Sequence, residues 1–318
     1  PAPFAPLDAH RLTRRAYSLS ALQRFAACPY QFLLASIHRL SPREEPEPLT
    51  RLDPLTKGSL FHRIQAEFYR ALQRDGLLPV AADRLPRALA ILDDVVLRVS
   101  TDLADAVVPA IPRVWRDEIA ELRRDLGIWV QRLVAETTWL PEYFEFSFGL
   151  SDAGRDPRSL PDPVVVDGRF ILRGSVDLIE RAADGGALRV TDHKTGKNRS
   201  TADLVVGGGA VLQPVLYSLA VEQGLGIRVA AGRLYYCTTD GGFVDHTIET
   251  TDEHRRRGLE VLTVIDRAIA GGFLPAAPSE RACGFCDFRA VCGPREESRT
   301  ARKPKDRVAD LLAVRALR

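Results

Sequence analysis

Two aspartates and a lysine carry the first chemical signal in the chain. Gly174-Ser175-Val176-Asp177 and Thr191-Asp192-His193-Lys194-Thr195-Gly196-Lys197 bracket an apolar–polar alternation broken by Asp184-Gly185-Gly186. That pattern predicts two strands joined in a hairpin. With Asp184-Gly185 as a two-residue turn, Ala183 faces Gly186, and counting outward sets Asp177 opposite Asp192. Side chains alternate along a strand, so Lys194 shares the face of Asp192. Facing carboxylates repel each other. A divalent cation bound between them removes that penalty; a salt-bridged surface hairpin is the other reading of the same residues. Only 5 of the 44 basic residues are lysines, which makes a lysine at 194 stand out.

The cysteines are the second signal. Cys283, Cys286 and Cys292 form a C-x2-C-x5-C cluster, Cys28 lies far upstream beside Pro29, and Cys237 ends an apolar strand. A disulfide framework belongs to small secreted domains, which this chain does not resemble. Metal ligation is the stronger reading. Zinc would complete a set of three thiolates with a histidine or with Cys28, and a [4Fe–4S] cluster would take four cysteines. Spacing alone leaves both open. Cys237 reads as a buried core residue.

These groups need a scaffold, and 318 residues at 45% hydrophobic suffice for a full core. A net charge of +2 points to no class of partner. No run approaches the ~18 apolar residues of a membrane span, and no charged-then-apolar leader is present, so the expected location is cytoplasmic. The absence of Met and the start Pro-Ala-Pro-Phe-Ala-Pro lead us to expect a segment of a longer protein, entered through a linker at 1–17.

Ser18-Leu19-Ser20 caps a predicted helix running to about Leu40, and Pro42 to Pro48 reads as an acidic, proline-rich connector. Helices follow from Gly58 to about Gln73 and over roughly 83–107 and 113–138. Glu142 to Leu150 is predicted as a strand, 152–163 as a polar loop and 164–194 as a set of short strands. Gln213 to Gln223 reads as a helix, Ile227 to Cys237 and Phe243 to Ile248 as strands, and Asp252 to Ala270 as a helix. Residues 295–318 form a basic C-terminal tail. Helices first and then a mixed sheet flanked by helices means α/β with a helical insertion.

Taken in order, these pieces resemble the RecB-type nuclease domain of the PD-(D/E)XK superfamily, most closely the C-terminal nuclease domain of AddB-type helicase–nuclease subunits. The pieces are Ser18-Leu19-Ser20, Cys28-Pro29-Tyr30-Gln31-Phe32, Gly58-Ser59-Leu60-Phe61-His62, Gly174-Ser175-Val176-Asp177, Asp192-His193-Lys194-Thr195-Gly196-Lys197, Gln213-Pro214-Val215-Leu216-Tyr217 and Cys283-Gly284-Phe285-Cys286 with Cys292. The resemblance covers 18–294 and implies a restriction-endonuclease-like mixed sheet, with a helical part at about 18–140 and a catalytic α/β core at about 141–272. It further implies a [4Fe–4S] cluster on Cys28, Cys283, Cys286 and Cys292 that pins the N-terminal helix to the C-terminal segment at 283–292.

The resemblance also assigns roles. Asp177 and Asp192 would hold Mg2+ or Mn2+ with help from the His193 backbone carbonyl, and Lys194 would orient the attacking water or steady charge on the phosphate. His62 would lie beside the metal, although its residue type and spacing read equally as an exposed histidine on an amphipathic helix. Gln213 and Tyr217, four apart on one helix face, would line the site, where Tyr217 also suits a core aromatic. Glu145 matches an early strand glutamate of the family and equally an ordinary strand carboxylate. Asp192 stands where some relatives carry Glu.

The implied activity is metal-assisted DNA cleavage, with single-stranded DNA as substrate and a helicase as partner. A free-standing CRISPR-associated RecB-like exonuclease and a non-catalytic iron–sulfur DNA-binding scaffold are the alternatives.

Overall fold

The computed structural model describes residues 5–42, 48–201 and 203–318; most of the connector expected at 42–48 lies outside them. Helix α1 (Leu19–Ala27) starts at Ser18, whose side chain accepts from the Ala21 N–H. The expected single helix to Leu40 is broken at Cys28, whose φ of −166° and ψ of 119° are extended. Pro29 is the cause, because proline forces the residue before it out of the helical region. Short turns at Pro29–Phe32 and Leu33–Ile37 follow.

Three longer helices build the insertion. They are α2 (Pro54–Arg74), α3 (Leu85–Val107) and α4 (Pro112–Leu133). Helix α2 begins four residues before the expected Gly58, because Asp53 accepts from the N–H groups of Leu55 and Thr56 and Pro54 supplies a preset φ at the first helical position. The strand-rich part that follows holds β1 (Trp139–Phe148), β2 (Val164–Val166), β3 (Phe170–Leu172), β4 (Gly174–Ala182), β5 (Leu188–Lys194), α5 (Gln213–Leu225), β6 (Val229–Tyr236), β7 (Val244–Glu249) and α6 (Asp252–Ala270).

Five strands form one mixed sheet in the order β1-β4-β5-β6-β7, in which only β5 and β6 run parallel; β2 and β3 form a separate hairpin. The sheet divides two apolar cores. One lies under α1, α5 and α6 and includes Phe25, Val176, Val190, Leu216 and Ile265. The other lies under α2, α3 and α4 and includes Phe68, Leu92, Trp129, Leu178 and Cys237. Helix α5 sits close on β6 because Gly232 has no side chain; a Cβ there would come within 2.1 Å of the Pro214 carbonyl.

The two ends of the chain close on this frame. Leu12 and Tyr17, in the segment expected as linker, are buried in the first core. Residues 295–318, expected as a tail, carry a helical turn at Glu296–Arg302 and helix α7 (Ala309–Ala316), which seats Leu311 and Val314 in the same core. The Arg315 guanidinium donates to the carbonyls of Ala26, Ala27 and Ala277, tying the helix end beside Cys28 to the C-terminal segment. Among the described residues no helix is long and apolar enough to cross a membrane.

Candidate active site

The predicted hairpin forms in the predicted register. Leu178 pairs with Thr191 and Glu180 with Arg189, so Asp177 stands one step beyond the last pair, level with Asp192. The turn itself is longer than expected. Ala182 donates to Ala187, leaving a four-residue loop in which Gly185, at φ 79°, donates to the Ala182 carbonyl. Adding one residue to each side of a turn leaves the facing pairs unchanged.

Asp177 also lies at a slip in the strand pattern. Val176 belongs to the first core and Leu178 to the second, although residues two apart normally share a face. The partner strand slips at the same level: Phe146 is in the first core, Phe144 in the second, and Glu145 between them has φ 57°. The slip frees the Asp177 carboxylate from either core, and its Oδ2 accepts from the His193 N–H at 2.7 Å.

His62 arrives from α2, its Nδ1 3.3 Å from Asp177 Oδ2. Lys194 lies on the face of Asp192 as alternation requires, with Nζ 2.5 Å from Asp192 Oδ2. Glu145 accepts from Arg155 at 2.7 Å and from the Ser175 hydroxyl at 3.1 Å. Tyr217 covers the site from α5, against Gly174. A Cβ at 174 would fall 2.9 Å from the tyrosine ring, so glycine is required for that approach. Gln213 is one turn further along, where its side-chain oxygen accepts from Gln23 at 2.8 Å.

Charge is concentrated here and only partly offset. Burial, then the neighbouring Asp192 carboxylate, raise the Asp177 acid to about 8, against the pull of the His193 N–H and of Lys194. Glu145 is raised by burial and by Asp177. Burial works against the Lys194 ammonium, but Asp192 and Asp177 outweigh it and hold the group above the ordinary lysine range. Burial lowers both His62 and His193, favouring neutral imidazoles. Tyr217 is raised by burial and by the two aspartates, which keeps its hydroxyl protonated. The site thus offers hard carboxylate oxygens and neutral nitrogens around excess negative charge, a donor set that fits a divalent cation.

Sequence reasoning missed three participants. Arg155 reaches Glu145 from a loop with no periodic pattern. Trp129, from α4, packs edge-on to His193 with centroids 6.0 Å apart. The His193 side chain itself faces the helical layer; alternation from Asp192 was the signal that could have placed it there.

Four of the five cysteines meet elsewhere. Cys28, Cys283, Cys286 and Cys292 line one cavity of about 420 Å3. Burial and the nearby Glu297 push the Cys283 thiol up to about 11, and Cys28 and Cys286 add to the shift. Cys237 is apart from them, fully buried in the second core beside Gln65.

The PD-(D/E)XK nuclease superfamily model matches residues 16–293, and the chain belongs to that superfamily. Its five-stranded mixed sheet between helical layers is accordingly a restriction-endonuclease-like fold, and its class of activity is metal-dependent nuclease. No curated protein matches the chain.

Proposed function

We propose that this chain is a Mg2+- or Mn2+-dependent deoxyribonuclease domain of a helicase–nuclease, an exonuclease acting on single-stranded DNA delivered by its helicase partner. The observation that carries the reading is the convergence of Asp177, Asp192, Lys194 and His62 at the slipped end of one hairpin. Asp177, Asp192, the His193 carbonyl and His62 would hold the cation. A bound cation of this kind lowers the pKa of water and offsets charge on the scissile phosphate. The chain's own groups do the rest. Lys194, kept charged by Asp192, is placed to donate to a phosphate oxygen or to the attacking water. Tyr217 and Gln213, on the same helix, border the path of the DNA backbone. Phosphate contacts make binding fall with rising salt.

The four cysteines of the 420 Å3 cavity are proposed as ligands of a structural [4Fe–4S] cluster. The meeting of all four cysteines at one cavity, together with the resemblance to iron–sulfur nucleases, supports this reading. Closing the chain from Cys28 to Cys283 would remove unfolded-state entropy worth roughly 5–6 kcal/mol by analogy with a disulfide.

The deciding experiment is DNA cleavage by purified Asp192→Ala and Lys194→Ala proteins with Mg2+. Each should lose more than ~100-fold, the scale of losing a charge-stabilising group in a reaction site; near-normal cleavage by Asp192→Ala rejects the assignment. For the cluster, anaerobically purified protein should be brown with about four irons per chain, and Cys28→Ala should lose both iron and stability. A colourless, active protein with one zinc rejects it.

A further inference from the structure

Strand β5 presents different chemistry on its two sides. Asp192 and Lys194 face the side of α5. His193, between them, points into an aromatic cluster under the helical layer, with ring centroids 6.0 Å from Trp129, 6.0 Å from Tyr235 and 6.4 Å from His62. His193 is 3% exposed, and among the described residues neither of its ring nitrogens has a hydrogen-bond partner; the same holds for Nδ1 of His62. Native proteins seldom bury polar nitrogens unmet, and a missing ion is one physical reason when they do.

Both imidazoles close on one carboxylate oxygen. Asp177 Oδ2 is 3.3 Å from His62 Nδ1 and 4.0 Å from His193 Nδ1, and the three residues offer ligand atoms all within 4.8 Å of one another. Two imidazole nitrogens and one carboxylate make a set richer in nitrogen than the three oxygen donors and single imidazole proposed for the hydrolytic cation. Imidazole suits zinc, copper, cobalt and nickel, whereas carboxylate, carbonyl and water suit magnesium.

We propose that His62, Asp177 and the His193 imidazole form a second cation position, on the helical side of β5, that takes a zinc-class transition-metal ion in preference to Mg2+. The proposal rests on the reading of Asp177 as a ligand of the hydrolytic cation. Because both positions use Asp177 and His62, an ion held on the helical side draws these groups away from the hydrolytic one. Zinc-class ions should therefore inhibit Mg2+-dependent cleavage by competition.

The test uses the full chain with its cysteine site loaded, in Mg2+-free buffer, with one equivalent of Cu2+ as the probe. Pulsed EPR should count two imidazole nitrogens in the natural protein and one in His193→Phe, a substitution that keeps an aromatic ring in the cluster. Co2+ affinity, read by its visible absorption, should weaken at least tenfold in His193→Phe and in His193→Asn. Asp192→Ala should keep the two-imidazole signature while losing cleavage. An unchanged nitrogen count and unchanged Co2+ affinity in folded His193→Phe or His193→Asn protein overturn the second position. Retained cleavage by Asp192→Ala overturns the hydrolytic reading instead, whatever the copper signal, so the two failures are distinct.

Discussion

Strand β4 carries two shielded acids three residues apart, Asp177 and Glu180, and surrounds them in opposite ways. Glu180, 2% exposed, accepts from Arg189 Nε and Nη2, both at 2.8 Å, from Arg233 Nη2 at 3.0 Å and from the Thr191 hydroxyl at 2.6 Å. Glu136 adds a second carboxylate to Arg189, so two guanidiniums meet two carboxylates and the cluster is balanced within the chain. Asp177 has one backbone N–H and a neutral histidine, and it stands against a second carboxylate. The first arrangement is complete as it is. The second has capacity left over for a cation, the kind of imbalance that marks a candidate functional site. On the proposed reading, stability and function sit on the same strand and call for opposite charge balance.

That contrast can be broken experimentally, and the largest effect belongs to the balanced cluster. Glu180→Ala leaves the buried Arg189 and the partly buried Arg233 guanidiniums short of a partner and should cost about 3–5 kcal/mol of unfolding free energy, the usual scale for removing one side of a buried ion pair. Urea unfolding followed by circular dichroism measures it; a loss under 1 kcal/mol would mean that water already solvates the network.

Asp177→Asn should move the other way in stability while destroying activity. Cleavage with Mg2+ should fall more than ~100-fold, about 2.7 kcal/mol of barrier. The metal-free protein should nonetheless gain about 1 kcal/mol at pH 8, as stabilising changes at functional sites commonly do. A variant less stable than the natural protein under those conditions would show that Asp177 is balanced after all.

The same imbalance gives a pH signature of a smaller size. Asp177 has a folded pKa of about 8 against an ordinary 3.8. Between those values the folded chain holds a proton that the unfolded chain has released. Stability therefore falls as pH rises through this window, by at most about 1.4 kcal/mol per pH unit. Mg2+ should flatten the slope, because it stabilises the ionised form. Melting curves at pH 5 to 8 with and without Mg2+ test this, and identical slopes in both would contradict it.

The smallest effect is expected outside both clusters. Cys237 is buried in the second core, and burial pushes its thiol well above the ordinary cysteine range. Cys237→Ala should cost about 1 kcal/mol and leave iron content and cleavage intact. Loss of iron in this variant, with iron retained in Cys28→Ala, would place the fourth cluster ligand at 237.

Much of the candidate site is legible in the sequence. Asp184-Gly185-Gly186 and the alternation around it were enough to set Asp177 level with Asp192 and to put Lys194 beside Asp192, because turn chemistry and a period of two act over a few residues. The helix at Asp252 to Ala270 is legible to the residue, since Thr251 caps its start and Gly271 follows its end. In sequence, Cys28 stands out as distant from the other three thiols, and Pro29 beside it carries the information for the extended kink that turns it.

What the local pattern could not contain was decided by packing. The slip at Glu145 and Asp177 exists because two cores, on opposite sides of one sheet, each claim part of the same two strands. His62 reaches Asp177 only when α2 lies on that sheet, and His193 becomes a buried, unmet imidazole only when Trp129 and Tyr235 close over it. Cys28 meets Cys283, Cys286 and Cys292 because Arg315 and the C-terminal helix draw the chain ends together. The sequence by itself determined which residues carry chemistry and which neighbours on the hairpin face each other, since those depend on short-range geometry. Only the tertiary structure decided which distant groups join them and how much charge is left uncompensated, since burial and electrostatic balance are properties of the whole packed interior.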